Sequence, residues 1–254
     1  MRRPAALGAF LLAAALAAAF FWDVLFPLGA MPPSPRTIER GGIPAVLRIL
    51  PGRNAGRGGR DGDPMNLAFW GTEAEVRRAL EAAGWTEVPL RLSPSLRAGL
   101  GEVLRGERLR RFPPFNAYLL LGRQQDMNWA IVVKPLASRH HFRLWRTGFA
   151  GREGRELWWG SGNRDLSIRW RDLSHRPDPD MDSERDFLAE TLEGSPFVGK
   201  TALVSLLQVP KVGNNDKGYA FRTDGRVLLV ELDGPGTRAP APGPPRARDR
   251  KARR

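Results

Sequence analysis

Two hydrophobic patterns occupy different parts of this chain, and their order along it limits the folds that are open to it. Thr72 and Glu75 form a capping-box pattern, after which apolar residues recur at helical spacing as far as Gly84. A second helix is predicted over residues 95–104, and most later segments are short apolar runs typical of strands. Helices followed by a run of strands favour an α+β fold, with a mostly antiparallel sheet flanked by a few helices.

Two pairs of the predicted strands are expected to form hairpins. The first joins residues 117–121 to residues 129–133 through a loop that contains glycine. The second joins residues 219–222 to residues 227–232 across an Asp-Gly dipeptide at residues 224–225, which favours tight turns. Further strands are predicted at residues 66–70, 140–146 and 157–170, and a further helix at residues 183–192.

The N-terminal segment carries the strongest membrane signal in the sequence. Arg2 and Arg3 precede an apolar run over residues 4–22, which has no charge before Asp23. Because about 20 apolar residues can cross a bilayer as a helix, we predict one N-terminal transmembrane helix within residues 1–30. A cleaved signal peptide is the alternative. In either case the basic residues ahead of the run predict that the rest of the chain lies outside the cytoplasm.

The positive charge of the chain is concentrated near its C-terminus. The net charge is +13, and from Arg238 onward seven basic residues are balanced by Asp249 alone. We therefore predict a disordered basic tail over residues 235–254, which would attract anionic lipid head groups or envelope polymers. The remainder is only mildly basic and shows no RNA-binding aromatic signature, so no nucleic-acid partner is expected.

Composition also divides the rest of the chain. Residues 31–62 are rich in proline, glycine and arginine and are predicted to be a linker, which leaves residues 63–234 as the globular domain. Cysteine is absent. This absence excludes disulfides, cysteine-ligated zinc and thiol catalysis.

All three histidines lie within residues 140–175, among acids and arginines. If residues 140–146 form a strand, His141 and Arg143 share one face and His140 lies on the other. On a common sheet, Asp165 would join His141 and Arg143. His175 would approach them from the following loop. These residue types can hold a metal, move a proton or bind an anion.

Three interpretations of this stretch stay open. In the first, the polar side chains form a buried network that only fixes the following loop against the sheet. In the second, they bind a divalent metal for hydrolysis, with Glu184 as the catalytic acid or base. The predicted metal ligands are His141, Asp165, His175 and Asp180. The third is an anion-binding site formed by Arg143, Arg185 and His140.

Two segments resemble well-known motifs without meeting their requirements. Residues 178–184 look like the start of a calcium loop but lack its glycine and its bidentate glutamate, so we predict a helix start capped by Asp180 or Asp182. Residues 194–201 match the Walker A pattern. A predicted helix rather than a strand precedes them, so a nucleotide is not expected and the cofactor prediction is limited to a divalent metal.

Short motifs spread over residues 63–232 follow one another in a recognisable order. They are GDPMNL at 62–67, AGW at 83–85, LGRQQD at 121–126, RHHFRLW at 139–145, LWWG at 157–160 followed by Asp165, His175, DPDMDSER at 178–185 and TDG at 223–225. With these motifs the chain resembles the LssY C-terminal-like domain family. The double histidine and the aspartate-rich motif, in this order, are the most specific of them.

The resemblance implies a bacterial envelope protein but supplies no established activity. Relatives often carry this domain behind polytopic membrane domains of the DedA or lipid-phosphatase type, and the family name derives from a locus linked to type I secretion. This chain departs from them because it has one predicted anchor at most. We expect a single-pass inner-membrane protein with an extracytoplasmic domain, or a periplasmic or secreted one after cleavage.

Two functions are compatible with these expectations. The preferred one is a non-catalytic, envelope-associated binding module linked to secretion or membrane-lipid processes. The alternative is a metal-dependent hydrolase that acts on a phosphorylated or lipid-linked envelope substrate. The protein partner is not predicted.

Overall fold

The computed structural model describes residues 34–111, 115–135, 137–169 and 174–233 of the chain. The helices there are α1 (Ile43–Ile49), α2 (Glu73–Ala82), α3 (Leu92–Leu104) and α4 (Met181–Leu192). The strands are β1 (Arg36–Thr37), β2 (Arg53–Ala55), β3 (Asp61–Pro64), β4 (Leu67–Gly71), β5 (Thr86–Glu87), β6 (Leu119–Leu120), β7 (Arg123–Gln124), β8 (Met127–Lys134), β9 (Ser138–Ala150), β10 (Glu156–Arg169), β11 (Ser174–Pro177), β12 (Val198–Ser205), β13 (Val212–Asn214), β14 (Ala220–Arg222) and β15 (Arg226–Leu232).

Nine of these strands form a central sheet. Seven lie side by side in the order β12-β15-β4-β10-β9-β8-β5, while β1 pairs with β9 and β11 pairs with β10. The pairings are antiparallel except for β15 with β4 and β1 with β9. The long strands β9 and β10 run together from the Ala150–Glu156 pair to the Arg139–Asp165 pair. The predicted α+β class with a mostly antiparallel sheet is therefore confirmed.

Both faces of the central sheet are covered. We call the face that carries Phe142 and Leu144 the back face; it packs against the apolar sides of α2 and α4. We call the face that carries Trp145 the front face; it packs against α1 and the short strand β6. Adjacent residues of a strand alternate between these faces, so Trp158 lies in the back core and Trp159 in the front core, both fully buried. Burial on both sides explains the continuous apolar runs of β4 and β15.

The first predicted helix is confirmed as α2, together with its capping box. The backbone N–H of Glu75 donates to Thr72 Oγ1 at 3.2 Å, and the backbone N–H of Thr72 donates to Glu75 Oε2 at 2.9 Å. Gly84 has a φ of 86°, which ends the helix in a conformation that glycine tolerates best. The helices predicted at residues 95–104 and 183–192 are α3 and α4.

Both predicted hairpins are wrong. Strand β6 turns back immediately onto β7, with φ angles of 52° at Leu121 and 76° at Gly122, so the loop closes sooner than expected. Strand β8 instead enters the central sheet between β5 and β9. Likewise β14 pairs with β13, while β15 lies between β12 and β4. The apolar residues of β15 fill both cores, and only a central position in the sheet buries both of its sides.

The segment over residues 31–62 was predicted to be a linker, but from Arg36 onward it is part of the folded domain. Strands β2 and β3 form a four-stranded sheet with β6 and β7. Ile43, Val46, Leu47 and Leu50 are buried in the front core. The proline and glycine content of the segment thus reflects tight turns between short elements rather than a free spacer.

The predicted membrane helix within residues 1–30 and the predicted basic tail over residues 235–254 lie outside the described residues. Among the described residues, no helix has the length and apolar character needed to cross a membrane.

Candidate functional site

Polar residues from three neighbouring strands meet on the front face of the central sheet. Asn128 and Ser161 lie opposite Arg143 on either side, and Asn163 lies opposite His141. Directly opposed residues project to the same face of a sheet, and all five are buried. Asp165 and Arg139 form the next directly opposed pair on this face of β10 and β9. We call these seven residues the front-face polar patch: Asn128, Arg139, His141, Arg143, Ser161, Asn163 and Asp165.

Arg143 is the charged residue at the centre of this patch. It is 7 % exposed, and its guanidinium carbon lies 4.6 Å from the ring centre of Tyr118 and 5.2 Å from that of Phe115. Its Nε is buried and has no hydrogen-bond partner in the described part of the chain. Among the described residues, no carboxylate lies within ion-pairing distance of it. The two rings hold the flat guanidinium in place by cation–π contact.

Other buried polar atoms of the patch also lack hydrogen-bond partners among residues 34–111, 115–135, 137–169 and 174–233. They include the side-chain Nδ2 of Asn128, Nδ1 of His141 and Oδ1 of Asn163. A buried polar group left without a partner costs roughly 1–3 kcal/mol, so native proteins contain few of them. Four such atoms, counting Arg143 Nε, lie within two adjacent registers of the patch.

One end of the patch is organised around Asp165. Its Oδ2 accepts a hydrogen bond from Arg139 Nε at 3.1 Å and lies 3.5 Å from His141 Nδ1. Nδ1 of His175, on β11, is 4.0 Å from the same oxygen. The structure therefore brings His141 and His175 to Asp165, while Arg143 lies on the same face two opposed pairs away from it.

Burial governs the charge state of this end. Desolvation lowers the pKa of His141 to about 3, so the imidazole is uncharged at neutral pH. Burial alone would raise the pKa of Asp165, but His141 and Arg139 together hold it below its usual value. Because His141 is uncharged at neutral pH, we attribute the ionised state of Asp165 there to the guanidinium of Arg139.

The other end of the patch borders an acidic and aromatic group. The Tyr118 hydroxyl donates to Asp216 Oδ1 at 2.7 Å, and Asn215 Nδ2 donates to Asp63 Oδ1 at 2.9 Å. Desolvation raises the pKa of Asp63, and the positive charge of Arg143 opposes that rise. Lys217 is exposed as a residue, yet desolvation and then Arg143 lower the pKa of its ammonium group.

His140 and Glu184 form a separate pair on the back face. His140 Nδ1 and Glu184 Oε2 are 2.6 Å apart, and the imidazole stacks on Phe187 at 3.7 Å. Desolvation raises the pKa of Glu184 well above its usual value, while desolvation and Arg164 lower the pKa of His140 to about 4. Burial thus disfavours the charged form of both groups. The sheet therefore separates His140 and Glu184 from the front-face polar patch.

Arg185 belongs to a third cluster, in which its Nε and Nη1 have acceptors. It is 2 % exposed and donates to Asp182 at 2.9 Å, Asp186 at 2.8 Å and Asp224 at 2.7 Å. It also donates to the backbone carbonyl of Arg226 at 3.1 Å. These bonds tie the start of α4 to the turn before β15. The guanidinium is thus committed to the fold, unlike that of Arg143.

Asp180 is likewise engaged away from the patch. Its Oδ1 caps α4 by accepting from the backbone N–H groups of Asp182 and Ser183, and its Oδ2 accepts from Arg222 at 2.8 Å. The predicted capping role of Asp180 is therefore confirmed. Within the described ranges, no group of three or more histidines and acids is arranged to hold a metal ion.

The Walker-like segment has the wrong geometry around it. Gly194 follows α4 in a left-handed turn with a φ of 71°. Lys200 and Thr201 lie within β12 and pair with β15. A phosphate-binding loop of that type needs a helix to begin at this point, because the helix N-terminus supplies the phosphate-binding N–H groups.

Several residues of the site were not predicted from the sequence. Asp63, Phe115, Tyr118 and Lys217 come from loops and short strands far apart in the chain, and no periodicity connects them. Asn128 is the exception, because it lies near the start of an apolar strand and a polar residue there could have been recognised. Its face becomes clear only from its pairing with Arg143.

Comparison with known proteins supplies the family. No curated protein and no solved structure matches the chain. A family model described as the LssY C-terminus matches residues 47–227, which is more than half of the chain and includes the whole front-face polar patch. The chain therefore belongs to the LssY C-terminal domain family.

Proposed function

We propose that this domain is a non-catalytic binding module that holds an anionic group, a phosphate or a carboxylate, at Arg143. The observation that carries the proposal is the buried guanidinium of Arg143, which has no ion pair or hydrogen bond among the described residues. Burial of an unpaired ion costs several kcal/mol, so such a group is retained where a ligand compensates it. Arginine suits this role because its planar fork can donate two parallel hydrogen bonds to one anion.

The surroundings of Arg143 support an anion rather than a cation as the ligand. The nearest acids already have partners, because Asp165 accepts from Arg139 and Asp63 accepts from Asn215. Asn128 Nδ2 adds a second unused donor directly opposite Arg143. The rings of Tyr118 and Phe115 fix the guanidinium before any ligand arrives, which reduces the entropy lost on binding.

Support for a non-catalytic role comes from the separation of the acid–base candidates. Glu184, the predicted catalytic residue, pairs with His140 on the back face. Asp165 is bound by Arg139, and His141 is uncharged at neutral pH. From the sequence alone, we also propose that the domain lies outside the cytoplasm of a bacterium, tethered by residues 1–30 or released after cleavage there.

The test is the thermal stability of the full chain as inorganic phosphate is added, at constant ionic strength. A ligand that binds only the folded state at ten times its Kd stabilises it by about 1.4 kcal/mol, or roughly 3–5 °C in Tm. Arg143→Met should abolish this shift. The matched control is Arg48→Met, which removes the same charge from an exposed position of α1 and should keep it. An equal shift in both variants would refute the proposal.

The metal-dependent hydrolase remains the second candidate. Its support is that His141 and His175 both approach Asp165 within 4.0 Å. Elemental analysis of the purified chain, with melts before and after chelation, distinguishes the two functions. A stoichiometric metal whose removal lowers Tm, together with no response to phosphate, would favour the hydrolase.

A further inference from the structure

Helix α3 has its polar and apolar sides reversed. The residues that it turns inward are Ser95, Gly99 and Glu102, none of which has an apolar side chain to bury. Ser95 Oγ donates to the carbonyl of Arg111, and Glu102 Oε2 accepts from the backbone N–H groups of Arg110 and Arg111. The inner side of the helix thus holds the returning chain mainly through polar contacts.

The outer side of α3 is apolar. Leu96, Leu100, Val103 and Leu104 are 49 %, 60 %, 60 % and 77 % exposed. Their spacing at three and four residues places them on one stripe of the helix. A single exposed leucine needs no explanation, but a contiguous stripe marks a surface that binds something.

The charges around the stripe indicate what it binds. Six exposed arginines lie in α3 and its two flanks, against the exposed Glu107 alone: Arg91, Arg97, Arg105, Arg108, Arg110 and Arg111. An apolar stripe bordered by arginines is the pattern of a helix that lies in the interface of an anionic bilayer. A second copy of this chain fits poorly, because a two-fold contact through the stripe would bring these arginines against each other.

We infer that α3 is a membrane-docking surface, which lies flat on a bilayer that contains anionic lipids. The leucines enter the acyl boundary and the arginines contact the head groups. The inference is independent of the anion site at Arg143, because it uses none of the residues of that site. It is also distinct from the predicted N-terminal anchor, because it concerns a surface of the folded domain.

The absence of cysteine allows a direct test on the full chain. Leu100→Cys, labelled with a polarity-sensitive fluorophore, is reconstituted with vesicles of phosphatidylcholine alone or with added phosphatidylglycerol. The expected result is a blue shift, and quenching by a lipid-borne spin label, only with phosphatidylglycerol. The matched control is Leu207→Cys, at a leucine that is fully exposed away from α3. Its fluorophore should stay in water in both vesicles.

Charge removal sharpens the same test. In the labelled Leu100→Cys chain, Arg97→Gln should lower the docking equilibrium constant about fivefold, and adding Arg108→Gln should lower it about fivefold again. A Leu100 fluorophore that stays in water with both vesicles would overturn the inference. So would burial of that fluorophore without lipid that increases with protein concentration, since that result would identify a second copy as the occupant.

Discussion

Two buried arginines of this domain have opposite surroundings. Arg185 is bound by three aspartates and a backbone carbonyl, whereas Arg143 has aromatic rings beside it and an Nε without a partner. Both lie within the residues that the family model matches, and their exposures are similarly low. The comparison teaches that burial of a charge does not by itself indicate its role. The hydrogen bonds of Arg185 join parts of the fold, while the proposed role of Arg143 is to bind a ligand.

The largest expected effect at neutral pH is on Arg185, the arginine bound by three aspartates. Arg185→Met should lower the free energy of unfolding by about 3 kcal/mol, because Asp182 and Asp224 lose their shared partner. This loss is at the lower end of the range for breaking a buried ion pair, because both aspartates are partly exposed and can be solvated. Urea denaturation measures the change. Arg226→Met, which removes an exposed partner of Asp224, should cost less than about 1 kcal/mol. Equal losses in the two variants would contradict the assignment.

The next prediction concerns how the free energy of unfolding depends on pH through His141, which lies in the same patch as Arg143. The folded pKa of His141 is about 3, against an ordinary value of 6.5. As pH falls below about 6.5 the unfolded chain takes up this proton and the folded chain does not, so stability is lost down to about pH 3. The slope is about 1.4 kcal/mol per pH unit for this histidine. His141→Gln should remove that slope, and an unchanged stability–pH curve would show that His141 titrates normally in the folded state.

The smallest effect is expected at the unsatisfied arginine. Without an anion, Arg143→Met should change the free energy of unfolding by less than about 1 kcal/mol, or increase it, because methionine fills the space without a buried charge. Denaturation in a buffer free of phosphate and carboxylate measures this change. A loss as large as that of Arg185→Met would mean that Arg143 has a structural partner, and the two arginines would then not differ.

Much of the fold could be predicted from local pattern. Some signals involve only a few neighbouring residues, so they can be recognised in the sequence. They are the capping box at Thr72, the acidic start of α4 and the apolar residues of β4, β9 and β10. Strand pairing was less accessible. Both predicted hairpins are wrong. A strand pairs where its apolar sides become buried, and that position depends on helices that are distant in the chain.

The candidate site was likewise predictable from the sequence only in part. Alternation along β9 assigned His141 and Arg143 to one face and His140 to the other, and Asp165 and His175 were expected beside the first two. The sequence could not separate Arg143 from Arg185, which were proposed together as anion ligands. The difference lies in Asp182, Asp186 and Asp224, which reach Arg185 only because α4 packs beside the turn before β15.

The sequence by itself determined the family, the α+β class, three of the four helices and the faces of the histidine strand, because these depend on short-range spacing and on motifs. Only the tertiary structure decided which buried charges are satisfied, and it revealed the reversed sides of α3. Hydrogen-bond satisfaction and exposure depend on contacts between residues far apart in the chain, and no local pattern encodes them.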